Sequence, residues 1–109
     1  MANTFKLKTK ANVGVTTVGI YTAPAATTPV VIGITMSNTS GSGVNVGVGI
    51  TRAGTTEDVK LLKNAPIPQG SSLEFMAGNK IVLEATDTVT VDSDTNNSVD
   101  AALTIMEIT

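Results

Sequence analysis

VNVGVGI, Val44 to Ile50, alternates aliphatic residues with small or polar ones without a break. Successive side chains of a strand point to opposite faces, so Val44, Val46, Val48 and Ile50 line one face while Asn45, Gly47, Gly49 and Thr51 line the other. A helix would scatter those four around its axis. The stretch is therefore a half-buried strand, and the residues on both sides repeat the pattern. Upstream, VVIGITMSNTS (Val30 to Ser40) sets Val30, Ile32, Ile34 and Met36 on one face and Val31, Gly33 and Thr35 on the other, which predicts a central strand. Between the two, Asn38 to Gly43 consists of Asn, Thr, Ser and Gly, residues that turn a chain by local hydrogen bonds or positive φ, and it predicts a hairpin.

Working outward, Thr4 to Lys10 alternates Phe5, Leu7 and Thr9 with Lys6, Lys8 and Lys10, and reads as a half-buried strand. Val13 to Tyr21 offers a looser one, interrupted by TAPAATTP. Downstream, Ala53 to Thr55 turns into Glu57 to Lys63, with Val59 and Leu61 inward. In NAPIPQG, Asn64 to Gly70, Pro66 and Pro68 remove backbone donors, so the segment crosses between sheets or follows an edge. Ser71 to Met76 carries Leu73 and Phe75; a turn at Ala77 to Asn79 leads to Lys80 to Ala85 with Ile81 and Leu83. Thr88 to Asp92 alternates Val89 and Val91 with Thr, and Val99, Ala101, Leu103 and Ile105 alternate in the last segment. Eight or nine short strands joined by turns predict a single all-β domain over residues 1–109, an antiparallel, jelly-roll-like β-sandwich.

The 109 residues suffice for one core. With two Phe, one Tyr and no Trp, Val, Ile, Leu, Met and Ala must fill it; Phe5, Tyr21 and Phe75 are assigned to the core. Absent His and Cys remove Ser-His-Asp and Cys-His nucleophiles, zinc and iron-sulfur ligand sets, and disulfides. The net charge of -2 gives no general attraction to nucleic acid or an anionic membrane. It divides unevenly: +4 from Met1 to Thr56, and -6 from Glu57 onward. Opposed patches of this kind steer association, unless strands from both halves interleave and average the field. No signal-peptide pattern or run long enough to span a membrane is found.

Three motifs invite a chemical reading. GVNVGVG, Gly43 to Gly49, lacks the dinucleotide spacing and any following helix, so Gly47 and Gly49 read as a small strand face that another backbone, such as a second subunit, can approach closely. DSDTNNSVD, Asp92 to Asp100, begins with the oxygen rhythm of a calcium loop at Asp92, Asp94 and Asn96. Asn97 occupies the turn-glycine position and Leu103 that of the bidentate Glu, which favours a hairpin tip and leaves calcium as the alternative. Glu84, Asp87, Asp92, Asp94 and Asp100 lack the aromatic walls a sugar cleft uses, and read as solvated faces and turn tips. Lys6, Lys8 and Lys10 form the one basic stripe, either a dock for an acidic surface or protection of an exposed strand edge.

Several segments resemble the small all-β virion proteins of tailed bacteriophages, particularly those of marine and cyanobacterial phages. They are MANTFKLKTKANVG (Met1 to Gly14), YTAPAATTPVVIGITMSNTS (Tyr21 to Ser40), NAPIPQGSSLEF (Asn64 to Phe75), KIVLEATDTVTVDSD (Lys80 to Asp94) and SVDAALTIMEIT (Ser98 to Thr109). Such proteins often carry Gly before the turn Asp; here Thr86 precedes Asp87, which puts that turn's geometry in question. The resemblance implies a non-enzymatic virion component without a cofactor. On this reading it is a capsid decoration or cement protein that closes into a homotrimer or other ring and binds the major capsid protein or another virion protein. The alternatives are a tail, neck or fibre component, and a receptor- or glycan-binding module. Phe5, Lys6, Lys8, Lys10, Gly47, Gly49, Pro66 and Pro68 are the expected protein contacts, with no catalytic, cofactor or metal residues.

Overall fold

A computed structural model describes residues 3–52, 57–74 and 80–108. The described residues form nine strands: β1 (Asn3–Val13), β2 (Val18–Thr22), β3 (Thr28–Asn38), β4 (Val44–Arg52), β5 (Glu57–Ile67), β6 (Ser72–Glu74), β7 (Ile81–Val82), β8 (Thr88–Ser93) and β9 (Val99–Ile108). One antiparallel sheet runs β1-β9-β3-β6, with β7 also on β3; the second runs β2-β8-β4-β5. β6 pairs with Thr35 to Ser37 and β7 with Val30 and Val31, so the two short strands share one position beside β3. Two sheets of four positions, nested outward from β4 and β5, make a jelly roll. The turn at Ala53 to Thr55, the turn at Ala77 to Asn79 and Phe75 lie outside the described residues.

The core lies between the sheets. Ile34, Met36, Val99, Leu103 and Ile105 from the first sheet meet Val44, Val46, Val48, Val89 and Val91 from the second, with Leu83 and Ile67 closing the sides. Full burial of such an aliphatic side chain stabilises by roughly 1.5 to 3 kcal/mol. Branched aliphatics fill most of the space, and among the described residues Tyr21 is the one aromatic that joins them, as the sequence assigns it. The void among Val31, Ile34, Val48, Ile50, Val89 and Leu103 is about 10 Å³, at or below what one water requires.

β4, β8 and β9 bury the faces their alternation assigns. β3 departs from it. A bulge between Val31 and Gly33 inserts one residue opposite β9, so the inward face runs Val31, Ile34, Met36, while Val30 and Ile32 turn outward. One extra residue exchanges the faces, which is why the simple alternation places Val30 and Ile32 wrongly.

Both predicted hairpin tips are instead corners between sheets. β3 and β4 belong to different sheets, as do β8 and β9, so Asn38 to Gly43 and Ser93 to Asn97 carry the chain across the sandwich. The proline segment behaves as expected: Pro66 sits exposed in edge strand β5, and the turn from Pro68 to Ser71 crosses to β6.

Thr86 has φ of 68°, the left-handed conformation that glycine adopts without strain. Its amide donates to the Ala23 carbonyl and holds the turn against the first half of the chain. A β-branched residue there is strained. Thr86→Gly is expected to stabilise the fold by about 1 kcal/mol after the larger unfolded-state entropy of glycine is counted, raising the melting midpoint by roughly 4 °C. A lower midpoint for the variant would refute that strain.

Candidate assembly surface

β1 is an edge strand, and its polarity is the reverse of the expected one. Lys6, Lys8 and Lys10 stand opposite Ile105, Leu103 and Ala101 of β9, all buried, so the lysines project from the core side of the sheet. Phe5 and Leu7 face outward and are 69% and 65% exposed, which corrects the assignment of Phe5 to the core. The reason lies in β9 and β2. The alternation that buries Leu103 and Ile105 also turns Glu107 inward, where it is 6% exposed and needs partners. Lys6 Nζ lies 3.0 Å from Glu107 Oε1, and the Tyr21 hydroxyl donates to Oε2 at 2.6 Å. Lys8 Nζ lies 6.0 Å from the centre of the Tyr21 ring, at the outer reach of a cation-π contact. At the lip of the sandwich lysine stems can cover apolar surface while their ammonium groups reach a carboxylate or water.

The cluster shifts both acids. Hydrogen bonds from Tyr21 and then Lys6 hold the Glu107 carboxyl below its ordinary value of 4.5, against the opposing effect of burial. Burial first, then the bond to Glu107, pushes the Tyr21 phenol above its ordinary 10.0. A carboxyl depressed in the folded state contributes stability that is present above its unfolded pKa and lost as pH falls through the folded one. Melting midpoints of the native protein and Glu107→Gln are therefore expected to differ most near pH 7 and to converge as pH drops below 4.5. A gap that stays constant to pH 2 would refute the linkage.

Gly47 and Gly49 are buried, and the backbone that approaches them is the chain's own. A Cβ on Gly49 would lie 2.9 Å from the Val59 carbonyl oxygen, and one on Gly47 would lie 3.2 Å from that of Leu62. β5 supplies eleven residues against the nine of β4, and this excess forms two bulges. Val59, expected inward, is 39% exposed on this irregular edge. Pro66 and Pro68 are exposed.

The acidic residues are engaged within the fold. Asp92 accepts from the Thr17 hydroxyl at 3.0 Å and faces Lys60 at 3.8 Å, while Asp94 Oδ1 accepts from the Asn45 amide at 3.1 Å. These bonds fasten the corner that the calcium reading addressed, and among the described residues no three acids are placed to hold a metal. At the opposite end Arg52 joins Glu84 to the buried Asp87, both of whose oxygens lie near Arg52 Nε and whose Oδ2 also accepts from the Glu84 amide. Sequence reasoning missed the Tyr21–Glu107 pair, although the inward phase of Val99 to Ile105 extends to Glu107 and carried the signal.

Across the outer face of the first sheet, Phe5 pairs with Met106, Met106 with Val30, and Val30 with Val82. Directly opposed residues share a face. The four form one apolar row spanning β1, β9, β3 and β7, flanked by Leu7, Ile32 and Ile108. Val82 is 61% exposed.

No family model matches the chain, and no curated protein matches it. Solved structures share its fold. A chain from the capsid of Helicobacter pylori bacteriophage KHP30 superposes with a TM-score of 0.59 at 10% identity, covering 98% of this chain and 87% of that one. A capsid chain of cyanophage Pam1 gives 0.55 at 15%, covering 95% and 84%. A subunit of disulfide-linked pili, the Bacillus endospore appendages, gives 0.57 at 15%, covering 99% and 87%. The infectious bursal disease virus particle protein gives 0.59 at 14%, and this chain spans 31% of its length. At these identities the likeness establishes the fold.

Proposed function

We propose that the protein is a structural component of a phage particle, a decoration or cement protein that binds the head lattice through its surface. The observation that carries this reading is the mutual, nearly full-length match to a bacteriophage capsid chain, 98% of this chain and 87% of the other. The segments that resemble phage virion proteins support it, as does the exposed apolar row, a kind of surface that marks interaction sites. The pilus fold is the same, but disulfide linkage has no counterpart in a chain without cysteine. The proposal assigns no catalytic step and no cofactor. Lys10 and the exposed Pro66 and Pro68 edge are the proposed lattice contacts, and Phe5 is a proposed contact between subunits; Gly47 and Gly49 lie beneath β5. Many such contacts repeated on a lattice convert modest affinities into avidity.

Mixing the purified protein with undecorated capsids and pelleting them tests the proposal. Saturable co-sedimentation is expected. Protein that stays in the supernatant while native particles retain it would overturn the lattice assignment. Imaging then separates locations, since hundreds of copies mark the head, whereas about six or twelve mark a neck or tail ring.

A further inference from the structure

We infer that the outer face of the β1-β9-β3-β7 sheet is a self-association surface that pairs with a second copy of the same chain about a two-fold axis parallel to the strands. The row Phe5, Met106, Val30, Val82 is arranged symmetrically about the line between β9 and β3. A half-turn about an axis above that line reverses strand order without moving residues along the strands. It therefore sets Phe5 against Val82 of the second copy, and Met106 against Val30. Each contact occurs twice, as an isologous interface requires.

Three observations favour a second copy as the occupant. The volumes complement one another, since each large side chain, Phe5 and Met106, meets a valine. The charges allow it: the positions Phe5, Leu7, Thr104, Met106, Val30 and Val82 are all uncharged, and Lys80 precedes β7 at the margin of the row. The face carries its acids, Glu74 and Asp100, toward the other end of the strands, and the two-fold places them opposite the Thr9 and Ser37 positions rather than one another. The area is also sufficient. Three long strands, β1, β9 and β3, about 4.8 Å apart, with β6 and β7 sharing the fourth position, present on the order of 600 Å² per copy over most of their length. The pair then buries about 1,200 Å², the lower bound of specific interfaces, which fits a reversible dimer. Stacked sheets pack about 10 Å apart and keep their strands nearly aligned, as this axis demands. The pairing stands on the face alone and holds whichever particle surface the protein occupies, so it fails separately from the capsid experiment.

The test is the mass of the purified full chain by sedimentation equilibrium from micromolar to millimolar concentration. A monomer-dimer equilibrium is expected. Phe5→Lys and Val82→Glu should each weaken it by about 100-fold, since each contact is lost twice. The Phe5→Lys, Val82→Glu double variant should recover much of that loss, because the new charges oppose each other across the axis. Met106→Lys should weaken association without rescue by Val82→Glu. All three substituted positions lie on the outer face, and unchanged melting midpoints confirm that the variants fold. A monomer at every concentration, or single variants with unchanged mass, would overturn the inference. So would a double variant as weak as its parents. If instead Phe5→Lys lowers capsid binding of a protein that is always monomeric, the face belongs to the particle and the inference fails.

Discussion

Asn38→Leu is expected to cost about 3 kcal/mol and to lower the melting midpoint by more than 10 °C. Asn38 ends β3 at the corner where the chain leaves the first sheet, and its side chain is buried. The amide nitrogen donates to the Ser42 carbonyl at 2.8 Å and the Ile67 carbonyl at 3.0 Å. The amide oxygen accepts from the Ser40 backbone N–H at 2.9 Å and the Ser40 hydroxyl at 2.8 Å. One side chain thus closes the Asn38 to Gly43 corner and ties it to the end of β5. Leucine nearly matches the volume and removes all four bonds, leaving the buried Ile67 carbonyl without this donor and the Ser40 amide without its acceptor, at roughly 1 to 3 kcal/mol each. Asn38→Asp keeps the two acceptances but turns a charged oxygen toward the Ser42 and Ile67 carbonyls where the native amide donates, so at pH 7 it should cost no less than Asn38→Leu. Denaturant unfolding of the three proteins measures this. A loss below 1 kcal/mol for Asn38→Leu would show that the corner is held by packing alone.

The same residue shows what the sequence could and could not disclose. Asn38 was legible as a turn former, because short polar side chains bend a chain locally. Which strands that turn joins was not legible, because a hairpin and an inter-sheet corner use the same residues. Strand partners depend on contacts far apart in sequence, such as Val99 opposite Asn38. Where an element's environment is uniform, as in β4, β8 and β9, the period of two assigned each side chain to the correct face. Where one residue is inserted, as between Val31 and Gly33, the period breaks and the assignment inverts. β1 failed for a third reason. Its apolar and basic faces were separated correctly, but the choice of the buried face is made by Glu107 on the paired strand β9 and Tyr21 on the opposite sheet, neither of which belongs to β1 itself. The outer row was invisible until β9, β3 and β7 were placed beside β1. Its four members come from four separate segments of the chain.

Gly49→Ala is expected to destabilise the fold by about 3 kcal/mol, and Gly47→Ala by about 1 kcal/mol or less. Both glycines sit in the strand whose alternation is the clearest in the chain, where a side chain would ordinarily favour the extended backbone by roughly 1 kcal/mol. The difference lies in what the new methyl group meets. At Gly49 it would lie 2.9 Å from the Val59 carbonyl oxygen and 3.1 Å from Thr90 Oγ1, and the first of these is backbone. Relief requires moving β5 away from β4, which strains the pairs Gly49–Lys60 and Ile50–Val59. At Gly47 the nearest atom, at 2.5 Å, is Oδ1 of Asp92, the far end of a side chain that can rotate. Its displacement weakens the bond to Thr17 and the contact with Lys60, both near the surface. Thermal or denaturant unfolding of the two variants compares these costs directly, and equal losses would refute the distinction between backbone and side-chain obstruction. A subunit contact at Gly49 would give the opposite pattern, an altered mass in solution with an unchanged unfolding midpoint. Burial beneath the bulged β5 predicts a lowered midpoint first, and a change of mass only through unfolding.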